Sequence, residues 1–208
     1  TPIGGWGPWI NGGGWLTISS TPVDFLYRDL TKVAQVIAAC HAGQLEVAYQ
    51  PGHPHAFVSS IYMGEVAVCR SLWDRHGRLA ALKAQTIPYP RALQQALIQR
   101  FAWEADFSLQ TAHKAAGRGD VAYVAGCAFR SVACLLQSLF AFNEQYWLNE
   151  KGAVALANTF RHSPPQWQAR LDAAFAQLGS DPLTLADAVA QLQVLTDEVQ
   201  QLVNPAAR

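Results

Sequence analysis

The chain has 208 residues, of which 50% are hydrophobic, enough for one large core or two small ones. Lys and Arg number 15 and so do Asp and Glu, so the formal net charge is zero and the charged fraction is 14%, well under the usual figure of about 25%. A neutral, lightly charged surface argues against bulk electrostatic binding to nucleic acid or to an anionic membrane, and is compatible with self-association into a homodimer or with an apolar face covered by another segment.

Residues 1–14 are rich in glycine and carry Trp6 and Trp9. Glycine permits close backbone approach, so Gly12, Gly13 and Gly14 read either as an ordered turn or as a loop that cradles phosphate. No Lys-Ser/Thr follows, which excludes a P-loop. An alternating strand at 15–18, a Ser-Ser-Thr-Pro turn and a second strand at 23–27 then predict a β-hairpin.

One acid lies inside that hairpin. Alternation places Asp24, Leu26 and Arg28 on one side of the strand and Val23, Phe25 and Tyr27 on the other. Burying a bare carboxylate costs several kcal/mol, so Asp24 must be exposed, hydrogen-bonded, paired with a cation such as Arg28, or bound to a metal.

A helix through Cys40 follows, capped by Asp29 or Thr31 and stopped at Gly43. Val33, Val36, Ile37 and Cys40 form its apolar stripe. Residues 45–49 are a short strand, and 51–55 a loop in which His53-x-His55 has metal-ligand character. No Cys or carboxylate stands near that pair in sequence, and two histidines in a proline-rich loop read as solvated. One or two helical turns are expected at 56–63, a last strand at 66–73, and a helix at 79–84. Pro88 and Pro90 mark a boundary.

Beyond it the pattern is helical. Leu93, Leu97, Ile98, Phe101, Ala105, Leu109 and Ala112 recur at three-to-four spacing until residues 117–120 break the run. The next predicted helix, 121–148, is apolar on nearly all sides and should be the buried centre of a bundle. Ser163 with Pro164 and Pro165 opens a helix to Leu178, and Thr184 with Asp187 opens a last one over 185–203. These predict an up-and-down bundle. Glu104, Asp106 and His113 read as a solvated or inter-helix polar face.

The four cysteines, Cys40, Cys69, Cys127 and Cys134, show no C-x-x-C spacing, and Cys127 and Cys134 behave most simply as small buried hydrophobes. A reducing cytoplasm is the expected location, since neither a leader-like start nor an apolar run of about 18 residues stands out.

The glycine segment, the hairpin, the apolar strand with Asp24 and the Tyr27-Arg28-Asp29-Leu30 helix start together resemble the second half of the catalytic core of polymerase β-like nucleotidyltransferases. The similarity is greatest to a bacterial group related to the aminoglycoside nucleotidyltransferases. Leu72-Trp73-Asp74 with Gly77, and Tyr146-Trp147-Leu148-Asn149-Glu150-Lys151-Gly152, resemble the same group.

The resemblance implies that Asp24 is the third of three carboxylates holding Mg²⁺, that Arg28 and Gly12, Gly13 and Gly14 face phosphate, and that residues 149–152 look into the active cleft. There Asn149 and Lys151 would contact nucleotide or acceptor, and Glu150 would act as a base. The superfamily's Gly-Ser pair and two-acid strand do not precede Asp24 here. The chain is therefore expected to be the C-terminal part of a longer protein, inactive by itself, with a degenerate and non-catalytic member as the alternative.

The sequence thus leads to an α+β fold, a small partial antiparallel or mixed sheet at the N-terminus followed by a C-terminal up-and-down helical bundle. Residues 1–87 would be part of a nucleotidyltransferase core and 88–208 a substrate-binding helical domain. The expected function is Mg²⁺-dependent transfer of a nucleoside monophosphate from a nucleoside triphosphate to a small hydroxylated acceptor. The alternative is a non-catalytic helical binding or dimerising module.

Overall fold

The computed structural model describes residues 1–2 and 4–204. Strands β1 (Gly13–Ile18) and β2 (Thr21–Leu26) pair antiparallel, with Gly13 opposite Leu26 and Trp15 opposite Asp24. Ser19 and Ser20 both take positive φ, the geometry that lets a two-residue turn follow the strand twist. At Gly13 a Cβ would lie 1.8 Å from the Phe25 carbonyl oxygen, so only glycine fits at that crossing. The Tyr27 N–H donates to the Gly12 carbonyl and closes the hairpin's open end.

Helix α1 (Leu30–His41) starts where the Asp29 carboxylate accepts the Thr31 N–H, and it buries Val33, Val36, Ile37 and Cys40, the stripe expected from spacing. Strands β3 (Val47–Ala48) and β4 (Phe57–Val58) form a second, minimal antiparallel pair. Helix α2 (Ile61–Val68) comes next and α3 (Arg78–Ala84) after it.

The strand expected at 66–73 is absent. Ile61, Tyr62, Met63 and Val66 are buried together, a helical spacing, while Leu72 and Trp73 stand exposed in irregular chain with no strand beside them to pair with.

Helices α4 (Arg91–Ala116) and α5 (Val121–Phe142) form a hairpin that is the largest contact in the molecule. Its turn is closed by Asp120, which accepts the Tyr123 N–H. A short α6 (Ala153–Ala157) leads to α7 (Trp167–Ala176) and α8 (Pro182–Val203); α8 packs on both α4 and α5, and α7 packs on α8. The fold is α+β, and one continuous hydrophobic core runs from Trp9 to Val203.

The helical turns read at 56–63 lie at 61–68, and beyond Pro90 three helix boundaries differ by three residues or more from those read in the sequence. Helix α5 ends at Phe142, not Leu148, because Asn143 turns back to donate to the Leu139 carbonyl and also reaches the His162 carbonyl. Glu144 then takes positive φ and leads the chain off the helix axis. Helix α7 opens after Gln166 in the left-handed region, so Ser163 is no cap. Helix α8 opens three residues earlier than Leu185, at Pro182, with the Asp181 carboxylate accepting the Thr184 N–H.

The expectation that no apolar run is long enough to span a bilayer also needs correction. By length and composition α5 qualifies, with a mean hydropathy of 1.5 over its 18-residue window. In this fold 72% of that window is buried, as befits a helix enclosed by α4 and α8.

Candidate functional site

The loop at 49–56 is shaped by Pro51, Gly52 with its positive φ, and Pro54. It turns both of its histidines inward. The His53 ring sits edge-on to Phe57 at 5.2 Å, and the His55 ring edge-on to Phe101 at 6.0 Å. Their side chains are only 13% and 3% exposed. The pair is not solvated, and its partners come from residues far away in sequence.

Glu104 on α4 and Arg130 and Cys134 on α5 complete the cluster. Arg130 and Cys134 are four apart and so lie on one helix face. Arg130 Nη2 is 2.5 Å from Glu104 Oε1, and His55 Nε2 is 3.6 Å from that oxygen and 3.5 Å from Cys134 Sγ. From the other side Glu150 Oε1 accepts the His55 backbone N–H at 3.0 Å, while Glu150 Oε2 lies 3.7 Å from His53 Nδ1. One carboxylate therefore fixes the loop's backbone and faces its other imidazole.

Charge within the cluster follows from these contacts. The His55 ring, and after it the Arg130 guanidinium, outweigh the cost of burial and hold the Glu104 carboxyl down to about 2. Burial lowers His53 from its ordinary value, against an upward pull from Glu150 and Glu65. Burial pushes the Cys134 thiol up, and Glu104 adds to that push.

The residues expected at a nucleotide site are dispersed. Asp24 is exposed on β2, opposite Trp15, and makes no hydrogen bond or ion pair among the described residues. Arg28 does not pair with it: its guanidinium grips Glu65 of α2 with two bonds, 2.8 and 2.6 Å, and lies over the Tyr62 ring. Gly12 and Gly13 are buried, with their carbonyls accepting the Tyr27 N–H and the Thr1 ammonium, and Gly14 is half-buried.

Asn149, Glu150 and Lys151 lie in a loop and not at a helix end. The Asn149 side chain accepts the Lys151 N–H, and Lys151 is exposed. Gly64 of α2 lets this loop pack close, for a Cβ there would lie 3.0 Å from the Trp147 carbonyl. Of these residues Glu150 stands nearest the histidine loop, its Oε2 3.7 Å from His53 Nδ1. Asp106 instead bonds Gln110 and Gln193, and His113 is exposed.

Beside residues 149–152 lies a cavity of about 410 Å³ walled mainly by apolar groups of α5 and α7, among them Val132, Leu136 and Leu171. Glu150, Gln168 and Asp172 are its polar members. Sequence reasoning left this cavity unseen, and it left Glu104 and Cys134 unconnected to the His53-x-His55 motif. The available signal was Arg130 and Cys134 on one face of an otherwise apolar helix.

The cysteines divide by burial. Cys40, enclosed in the core, is pushed up to about 12, and Cys134 is also fully buried, whereas Cys69 and Cys127 are half-buried. Alkylation of native protein at neutral pH followed by mass spectrometry is expected to label Cys69 and Cys127, and to label Cys40 and Cys134 only after denaturant is added.

A family profile described as a domain of unknown function (DUF4037) matches residues 58–151. The matched stretch holds Glu104, Arg130, Cys134 and Glu150, and runs from β4 to the loop before α6. No curated protein matches the chain, and no solved structure does.

Proposed function

We propose that the chain is part of a polymerase β-like nucleotidyltransferase, whose intact form moves a nucleoside monophosphate from a nucleoside triphosphate to a small hydroxylated acceptor. The observation that carries this reading is the Glu150 carboxylate, which lines the 410 Å³ cavity, holds the His55 backbone N–H at 3.0 Å and lies 3.7 Å from His53 Nδ1. That cavity suits a small acceptor, with Glu150 at its wall to take a hydroxyl proton.

Mg²⁺ is the cofactor this reading implies, and it seeks several oxygen donors in near-octahedral array. Asp24 offers one carboxylate, and among the described residues no cluster of three ligating side chains includes it. The described residues thus do not form a Mg²⁺ cage.

The test is transfer itself. Full-length protein incubated with Mg²⁺, a labelled nucleoside triphosphate and a panel of hydroxylated acceptors should yield labelled product. Glu150→Gln should cut the rate by about 100-fold or more, as expected for losing a general base. Unaltered transfer in that variant removes Glu150 from the mechanism.

A second reading, a dimerising module without catalysis, is favoured by the hairpin's exposed apolar side chains. Trp15 is 75% exposed, with Ile18, Phe25 and Leu26 around half exposed. Two strands alone are marginal in water, and apolar side chains exposed on both faces of the hairpin call for a cover. A sedimentation coefficient that stays monomeric across protein concentrations excludes this reading.

A further inference from the structure

We propose that His55, Glu104 and Cys134 form a binding site for a thiophilic divalent cation of the Zn²⁺ type, separate from any Mg²⁺ used in nucleotidyl transfer. The ligating atoms His55 Nε2, a Glu104 carboxylate oxygen and Cys134 Sγ all lie within 4.8 Å of one another. Zinc binds nitrogen and oxygen at about 2.0–2.2 Å and sulfur at about 2.3 Å, so tetrahedral angles set N···O near 3.4 Å and N···S near 3.6 Å. The observed separations from His55 Nε2 are 3.6 Å to Glu104 Oε1 and 3.5 Å to Cys134 Sγ. All three donors already stand at coordination distance from a shared point.

The same residue types could suggest a Cys-His-Glu nucleophilic triad, and the geometry rejects it. A triad needs the thiol on one imidazole nitrogen and the carboxylate on the other. Here both approach Nε2, while Nδ1 of His55 is buried without a hydrogen-bond partner among the described residues. Convergence on one nitrogen is what a shared cation demands. The donor set selects the ion, since thiolate with imidazole favours Zn²⁺ over the oxygen-seeking Mg²⁺ and Ca²⁺.

The site is preorganised and has a way in. Glu150 holds the His55 backbone N–H, and Phe101 backs the ring, so the loop presents Nε2 without further ordering. An open groove of about 440 Å³, lined by Gly43, Leu45, Arg100 and Trp103, reaches Glu104. Binding displaces the thiol proton to solvent as the metal–sulfur bond forms, while Glu104 enters as a carboxylate and His55 donates the Nε2 lone pair with its proton on Nδ1. Three protein donors leave a fourth position for water. The cation would fasten the loop to α4 and α5. Arg130, with its side chain 57% exposed, competes for Glu104 and can swing out.

Cobalt tests this, because it takes the same ligands and reports them in its spectrum. Chelator-treated protein titrated with Co²⁺ is expected to bind one equivalent with thiolate-to-metal charge-transfer absorption and tetrahedral visible bands. Cys134→Ser and His55→Ala should each weaken binding by about 100-fold or more. Arg130→Gln should tighten it about tenfold by removing a competing cation. Cys127→Ala, seven residues away on α5, should leave the spectrum unchanged. Zn²⁺ at a hundredfold excess over its Kd should raise Tm by roughly 5–10 °C. Wild-type protein that binds no Co²⁺, or binds it without the charge-transfer band, overturns the proposal whatever the variants do. A band that persists in Cys134→Ser, or is lost in Cys127→Ala, overturns it equally.

Discussion

A Phe57→Ala variant is expected to lose about 3–5 kcal/mol of folding free energy, the cost of a large-to-small change at a site that cannot collapse. Phe57 is wholly buried, and its ring meets Trp9 at 5.1 Å, His53 at 5.2 Å and Tyr62 at 5.7 Å. Three separate segments depend on it: the N-terminal glycine region through Trp9, the histidine loop, and α2. Tyr62 adds to the junction by donating its buried hydroxyl to the Trp9 carbonyl. Since domains of this kind are stable by only about 5–15 kcal/mol, the loss should be plain in a urea melt. Phe57→Leu, which keeps most of the volume, should cost under about 1.5 kcal/mol. Equal losses in the two variants would show that the ring's aromatic contacts, and not the volume it fills, join these segments.

Trp167→Ala should fall in a similar range, about 3–5 kcal/mol, and an internal contrast makes it informative. Trp167 opens α7 and is fully buried, yet its indole Nε1 has no hydrogen-bond partner among the described residues. An unpaired buried donor costs about 1–3 kcal/mol, so Trp167 stabilises through area and shape alone. Trp167→Phe removes the stranded donor along with some volume, and the opposing effects should leave the net change within about 1 kcal/mol. Thermal melts of both variants decide this. A Phe variant as damaged as the Ala one would mean the indole N–H is satisfied in solution.

Helical periodicity carried the second half of the chain into view. Of the residues on α4 named from spacing, Leu93, Leu97, Phe101, Ala105, Leu109 and Ala112 are buried and Ile98 is half-buried, and Asp29 caps α1. Failures came where a local signal had a tertiary competitor. Residues 66–73 alternate well enough for a strand, but a strand needs an edge to pair with, and α2 already holds Val66 in the core. The apolar pattern past Phe142 looked helical because Trp147 and Leu148 are hydrophobic, whereas they serve to pack a loop against Gly64.

The site was legible only in part. His53-x-His55 was visible as a motif, but its meaning depends on Glu104, Cys134 and Glu150, and no local rule joins positions so far apart. Asp24 shows the reverse case. Its alternation partner Arg28 was correctly seen as a cation wanting a carboxylate, and the fold supplies Glu65 from α2 instead.

The bond from Glu150 to the His55 backbone joins positions 95 residues apart, and the His55–Cys134 contact joins positions 79 apart. Closing loops of that size costs chain entropy that nearby contacts cannot repay, so such pairings form after the local helices. The histidine loop should therefore be among the last parts to lock during refolding. A probe at His55 would then time the arrival of the native state, while circular dichroism of α4 and α5 would report only its beginning.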